Sequence, residues 1–306
     1  CSFLGEHMDE EERAIVMEKF MNMYETQDLY VIYSRFLESC GYPGLPHVQL
    51  QERKLRYEDV YPVLYMKYRL LRQTSHNGIK HLVVDEMQDY SPIQYKVIQK
   101  LYPCRKTILG DASQSVNPYG SSTADMIRKT FTMGERMKLC KSYRSTFEIT
   151  DFSQRIQTNH ELEPIIRHGE PPAILRFEDV KQEILGIFSI ISSFKKSGYT
   201  SLGIVCKTET QARELSESLR VHTGDIHFLS NQSSAFMKGI IVTSSHMAKG
   251  LEFDEVIVPY VNDKNYNSAI DKSMLYVAVT RAMHRLTLTY NGRPSEFIPA
   301  SSDQNF

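Results

Sequence analysis

From Lys80 onward, short apolar runs alternate with amphipathic stretches at helical spacing, and this alternation limits the chain to a layered α/β fold. The pattern predicts strands at His81–Val84, Thr107–Leu109, Met137–Cys140, Ala173–Phe177, Leu202–Cys206, Ile240–Thr243, Val256–Val261 and Arg285–Tyr290. Between them it predicts helices at Pro92–Tyr102, Thr123–Phe131, Phe147–Ile156, Val180–Phe194, Thr210–Val221 and Ser273–Met283. Strands separated by helix-length connections pair in parallel, and parallel sheets carry helices on both faces. Before Lys80 the texture is helical: Ala14, Met17, Phe20, Met21 and Tyr24 share one face, as do Val60, Leu64 and Leu71 after Asp59. Gly41-Tyr-Pro-Gly44 breaks the two runs, and Ser301–Phe306 reads as a frayed tail.

The 306 residues, 41% of them apolar, suffice for two cores. The expected division is a helical segment over 1–78, a first α/β domain over 79–133 and a second over 134–306, with the break near Gly134. A net charge of −1 gives no global sign of a polyanion partner, although a local basic groove fits inside a neutral total. Cys1, Cys40, Cys104, Cys140 and Cys206 are scattered, without a CxxC or a Cys/His cluster, which argues against zinc and for a reducing, cytoplasmic compartment. No run approaches the roughly 20 apolar residues of a membrane span, and Asp9–Arg13 is charged where a signal peptide would be apolar. The opening Cys1, in place of Met, points to a piece of a longer protein.

In open α/β sheets ligands gather beyond the carboxyl ends of strands, so the residues after each strand are examined first. Leu82-Val-Val-Asp85-Glu86-Met-Gln88-Asp89 closes an apolar run with adjacent carboxylates. One acid of such a pair can hold Mg²⁺ through water while the other faces an attacking water, which is what nucleotide hydrolysis requires. The same acids equally suit a helix N-terminus ahead of Pro92.

The acid segment resembles motif II of the UvrD/Rep-like superfamily 1 helicases, and four further segments resemble that family's later motifs in order. They are Thr107-Ile-Leu-Gly110-Asp111-Ala-Ser-Gln114 (motif III), Ser142-Tyr143-Arg144-Ser145 (motif IV), Ser245-His246-Met-Ala-Lys249-Gly250-Leu251-Glu252-Phe253-Asp254 (motif V) and Leu275-Tyr276-Val-Ala-Val-Thr280-Arg281-Ala282 (motif VI). One such match is weak; five in order across nearly two hundred residues are not chance. The resemblance implies two RecA-like parallel-sheet domains, the first incomplete, with ATP and Mg²⁺ as cofactors. Asp85 would serve the metal, Glu86 would act as general base, and Gln114 would sense the γ-phosphate.

Arg144 and Arg281, each expected within or at the start of a second-domain helix, would be arginine fingers. A guanidinium keeps its charge and forks onto phosphate oxygens. Glu252 would contact the nucleotide sugar, Gly250 would permit close backbone approach, and Tyr143 would stack on the base. For nucleic acid, Tyr119 is either a stacking platform, worth about 1–3 kcal/mol per base, or a packing residue. Val116-Asn117-Pro118 replaces the Ile-Tyr-Arg of many relatives, so one aromatic contact is lost. His246 and Thr243 would touch the DNA or RNA backbone, His246 alternatively serving the loop alone. Lys249 meets either phosphate or solvent.

A motor of this class also needs Gly-x-x-x-x-Gly-Lys-Ser/Thr, and none of the 15 glycines is followed by lysine. The expected missing partner is therefore an N-terminal part of the chain's own protein. The short stretch from Arg144 to Gly250, together with Tyr57-Glu-Asp-Val-Tyr-Pro-Val-Leu-Tyr and Lys238-Gly239 before motif V, is similar to the HelD / helicase IV branch. That branch implies DNA, single-stranded or duplex, and bacterial RNA polymerase as partners. A catalytically silent binding module is the competing reading. A metal-dependent nuclease built on Asp85, Glu86 and Asp111 leaves both arginines unexplained.

Overall fold

The computed structural model describes residues 10–11, 14–15, 18, 26–70, 75–111, 127, 129–131, 134–158, 163–230 and 239–298. These form two compact units. The first takes the described residues up to Val84 together with Ser91–Ile108; the second takes Asp85–Tyr90 and the described residues from Leu109 onward.

The first unit holds helices α1 (Leu29–Ser39), α2 (Tyr57–Leu70) and α3 (Pro92–Leu101) beside a parallel pair, β1 (His81–Val84) and β2 (Arg105–Ile108). Each helix start is written locally. Asp28 caps α1 by accepting the Tyr30 N–H at 3.0 Å. Glu58 and Asp59 open α2 while Lys67 and Arg69 close it, in the sense that suits the helix dipole. Pro92 occupies the first turn of α3 behind a Ser91/Gln94 capping box. The strands run in register from His81↔Arg105 to Val84↔Ile108. Val84 is buried, but Val83 is 60% exposed, an unusual exposure for parallel strands, which normally lie covered.

The second unit is built on a six-stranded parallel sheet. Its strands are β5 (Ala173–Phe177), β6 (Ser201–Cys206), β7 (Ile226–Phe228), β8 (Gly239–Ser244), β9 (Phe253–Val258) and β10 (Ala282–Asn291), in the order β5-β10-β9-β6-β8-β7. A short parallel pair, β3 (Lys141–Ser142) and β4 (Glu163–Pro164), stands apart from it. Helices α4 (Phe147–Ile156) and α7 (Ala269–Val279) cover one face of the sheet through Ile149, Phe152, Leu275 and Tyr276. Helices α5 (Val180–Phe194) and α6 (Glu209–Arg220) cover the other through Ile187, Ile191, Leu215 and Leu219. The central strands β6 and β8 are buried from their second residue to their last, as apolar runs enclosed on both faces must be. Gly203 on β6 is a packing requirement, because a Cβ there would stand 2.4 Å from the Phe253 ring. The α/β class and the parallel sheet between helix layers follow the sequence expectation.

Several elements differ from it. Met137–Cys140 forms no strand, and the pairing falls instead on Lys141–Ser142. Met137 and Leu139 alternate as a strand should but are 86% and 89% exposed; alternation makes a strand only where a neighbouring backbone receives its hydrogen bonds. The last helix starts earlier than Ser273, because Ser268 and Asp271 form a capping box, and it ends at Val279. β7 was not anticipated. The expected helix at Thr123–Phe131 lies largely outside the described residues, as do Met17, Phe20, Met21, Tyr24 and the tail from Ser301. No helix among the described residues is long and apolar enough to cross a membrane.

Candidate functional site

The chain leaves β1 into a strained turn. Glu86 is left-handed (φ 52°, ψ 50°), a conformation that costs a residue with a side chain about 1 kcal/mol or more. Asp85 accepts the Glu86 N–H at 2.8 Å, and a single 3₁₀ turn follows over Met87–Asp89. Gln88, 1% exposed, ties this turn to the segment after β2. Its Nε2 donates to Glu86 Oε2 at 2.6 Å, and its Oε1 accepts the Asp111 N–H at 3.1 Å. The Met87 N–H donates to the Leu109 carbonyl at 2.8 Å. Gly110 makes this approach possible, since a Cβ there would stand 2.4 Å from Gln88 Oε1 and 2.5 Å from Met87 N. The acid turn and the Gly110-Asp111 turn are thus one bonded assembly.

Lys249 joins it from the loop between β8 and β9. Its Nζ lies 2.7 Å from both carboxylate oxygens of Asp89 and 3.6 Å from Glu86 Oε2, with the side chain only 7% exposed. Its ammonium is enclosed among carboxylates, so the expectation that Lys249 meets only solvent is corrected. The remaining charges collect where β9 and β10 begin. Ala282 pairs with Phe253 in register, and the Phe253 N–H donates to the Arg281 carbonyl at 3.0 Å. Glu252 and Arg281 therefore sit at the amino ends of their strands, whereas Asp85 and Asp111 follow the carboxyl ends of β1 and β2.

Arg144 precedes the N-cap Thr146 of α4 and pairs with Glu252 (Nε–Oε1 2.6 Å), both side chains partly exposed. The local backbone is pinned: Ser145 Oγ donates to the Ala282 carbonyl at 2.6 Å, and the Arg167 guanidinium donates to the carbonyls of Arg144 and Met283. Arg281 is placed differently from the expected helix, in the turn after α7, and is 1% exposed. Its Nε donates to Val277 O (3.1 Å), Nη1 to Leu251 O (3.4 Å) and Nη2 to Thr280 Oγ1 (3.1 Å). Burial, and next the like charge of Arg144, pull its guanidinium down to about 10; the charges of Glu86 and Glu252 oppose this. A cavity of about 480 Å³ opens beside these groups, lined among others by Asp111, Tyr143, Arg144, Glu252, Tyr276 and Thr280. Tyr143 is 70% exposed at it.

The other expected residues fall as follows. Gly250 is exposed with φ 79°, a left-handed backbone that favours glycine, and no protein atom lies within 4 Å of where its Cβ would be. His246 is exposed in the turn after β8. Thr243 is fully buried, and its hydroxyl donates to the Leu229 carbonyl at 3.1 Å, so it braces the strand end and presents no group outward. Gln114 and Tyr119 lie outside the described residues. Sequence reasoning missed the bracing bonds of Gln88 and the pairing of Lys249 with Asp89. The available signal was the spacing of Gln88 and Asp89 after Glu86, which puts an amide and a second acid on the same turn.

Two helicase family models match parts of the chain. The UvrD/REP helicase N-terminal domain matches residues 9–132, and the UvrD-like helicase C-terminal domain matches residues 223–293. A putative ATP-dependent DNA helicase of Acanthamoeba polyphaga mimivirus is 24% identical, covering 68% of this chain and 34% of its own length. DNA helicase II of Haemophilus influenzae is 27% identical over 72% of this chain and 31% of its own. DNA helicase IV of Escherichia coli is 24% identical over 72% of this chain and 35% of its own. The chain spans about a third of the length of these curated relatives.

Proposed function

We propose, from the premise that this chain belongs to the UvrD/Rep-like superfamily of DNA helicases, that it supplies the hydrolytic and coupling half of an ATP-driven DNA motor. The observation carrying this reading is that the acid turn with Lys249 and the Arg144–Glu252 pair belong to one compact unit, which holds a cavity of nucleotide-sized volume. In this role Asp85 serves Mg²⁺ and Glu86, aimed by Gln88, accepts the proton of the attacking water. Arg144 answers the charge that develops on phosphate, Gln114 senses the nucleotide state, and Tyr143 and Glu252 hold the base and sugar. Among the described residues no three His, Cys, Asp or Glu side chains converge as a metal cluster. That fits Mg²⁺, which is commonly held by one or two carboxylates together with substrate phosphates and water. Bound MgATP supplies the phosphoryl group and part of the charge neutralisation.

Arg281, enclosed and donating to the Leu251 carbonyl, acts as a finger after a local rearrangement that exposes its guanidinium, which ties its role to a conformational step. In this reading Tyr119 and His246 are nucleic-acid contacts. The organisation is a helical segment (1–78), the remainder of a first RecA-like domain (79–133) and a second RecA-like domain (134–306). That β1 and β2 form only a two-stranded sheet, with Val83 exposed, supports completion of the first sheet by further strands, including one that leads into a phosphate-binding loop.

Within the superfamily we place the chain in the HelD / helicase IV branch. The short Arg144-to-Gly250 interval and the similarity to DNA helicase IV support this. RNA polymerase release on DNA, in a reducing cytoplasm, is the activity this branch implies.

The test compares the 306-residue chain with a version extended by a segment carrying Gly-x-x-x-x-Gly-Lys. ATP turnover is expected only in the extended protein, stimulated by single-stranded DNA. Robust turnover by the 306 residues alone overturns the division of labour, and its absence from both leaves the silent binding module as the answer.

A further inference from the structure

At the carboxyl edge of the six-stranded sheet, away from the groups discussed so far, lies a second cavity of about 360 Å³. Its walls come from the start of α5, one face of α6, the loop after β9 and the end of β10. Val180, Ile184 and Leu215 make an apolar side; Glu214, Tyr260 and Asn291 are among the polar residues opposite. This volume suits one side chain or a small ligand.

Immediately behind the wall sits Glu183, fully buried. It accepts the Tyr260 N–H at 2.9 Å, the Thr289 hydroxyl at 2.6 Å and Asn291 Nδ2 at 2.6 Å. Among the described residues it makes no ion pair; Glu214, exposed on α6, makes none either. Buried carboxyl groups ordinarily have a cation close by. Neighbouring cations are committed elsewhere: Lys207 pairs with Asp271 at 2.6 Å, and Arg213 pairs with Glu209 at 3.1 Å while lying over Phe228. The lining itself carries one carboxylate, Glu214, and no basic side chain.

Two details aim this negative character at the cavity. Tyr260 is the second non-glycine residue with positive φ (60°) among the described residues. That strain turns its N–H onto Glu183 while its ring remains in the cavity wall. Because Asn291 gives its nitrogen to Glu183, its amide oxygen is left as an acceptor. Burial, with the charges of Cys206 and Glu183, pushes the Tyr260 phenol up, so the ring stays neutral and offers a face to a cation.

We propose that this cavity binds a guanidinium group carried on a short aliphatic stem, with the stem against Val180, Ile184 and Leu215 and the head between Glu214, Asn291 Oδ1 and the Tyr260 ring. The inference is independent of the nucleotide reading. It is tested by calorimetric titration of the 306-residue chain with agmatine, with N-acetyl-arginine amide, and with the butylurea analogue of agmatine, N-(4-aminobutyl)urea, in which a neutral urea replaces the guanidinium. Saturable agmatine binding is expected. It should weaken about tenfold or more for Glu214→Gln, or when the urea analogue replaces agmatine, as loss of a charge-assisted pair requires. Asn262→Asp, which adds a carboxylate to the same wall, should tighten it. Tighter binding of the capped arginine than of agmatine assigns the site to a protein side chain, and the reverse order to a free guanidino compound. No saturation at millimolar agmatine, equal binding of the urea analogue, or indifference to both substitutions overturns the proposal.

Discussion

Lys249 Nζ lies 2.7 Å from both carboxylate oxygens of Asp89, a residue 160 positions earlier in the chain. The pair fastens the acid turn to the loop leading into β9, and Glu86 Oε2 is 3.6 Å from the same nitrogen. Lysine is nearly enclosed and Asp89 about a third exposed, so removing the cation strands a half-desolvated acid. Lys249→Met is expected to destabilise the second unit by about 1–3 kcal/mol, below the range for a fully buried pair. In urea unfolding, the Asp89→Asn/Lys249→Met double variant should lose less than the two single variants combined. A Lys249→Met midpoint equal to wild type shows that the contact does not hold the turn.

Glu86 is held in a left-handed backbone by a turn whose only buried polar side chain, Gln88, donates to its carboxylate. Such placement suits a proton acceptor. In a version of the chain that carries a phosphate-binding loop, Glu86→Gln should lower turnover by about 10²–10⁴ while fluorescent-nucleotide binding is retained. Wild-type turnover in that variant removes Glu86 from the role of base.

The two arginines should separate by their burial. Arg144 and Glu252 are each more than a third exposed, so Arg144→Ala should cost under about 1 kcal/mol in stability yet sharply reduce turnover in the loop-bearing protein. Arg281 is enclosed and donates to the carbonyls of Val277 and Leu251. Arg281→Ala should therefore cost about 1–3 kcal/mol in unfolding free energy, as well as the roughly 10³–10⁵ in turnover seen when an arginine finger is lost. Equal stability losses in thermal melts of the two variants contradict this contrast.

The elements that were legible in the sequence are those whose causes are local. Phe147–Ile156, Ala173–Phe177 and Val180–Phe194 end where periodicity and caps say they end. What could not be read depends on partners far along the chain. Met137 and Leu139 alternate correctly, but nothing in the sequence says whether a neighbouring strand receives them. Thr243 precedes a motif by two residues yet faces inward, because β8 is central and buried on both sides. Arg281 carries its motif's charge, but its enclosure depends on Leu251 and Val277. Residue type identified the chemistry; only the packing determined which groups are accessible to perform it.

Acid stability provides a test that needs no nucleotide. Burial tends to push the Asp254 carboxyl up, but the N–H and O–H groups of Thr200 and Ser201, all donating to Oδ2 at 2.8–3.1 Å, outweigh it and hold the group below its ordinary value near 3.8. A carboxyl depressed in the folded state binds its proton more tightly once unfolded. Its stabilisation is therefore complete above the unfolded value and is lost as pH falls through the folded one. Stability of the second unit should decline from about pH 5 downward, with Asp271 adding to the same limb, since its hydrogen bonds from Lys207 and Ser268 likewise outweigh burial. Asp254→Asn removes the titrating group. It should lower stability at neutral pH and flatten the decline between about pH 5 and 3. An Asp254→Asn profile parallel to wild type across that interval, in urea unfolding at each pH, shows that the four donors do not hold Asp254 in its charged form.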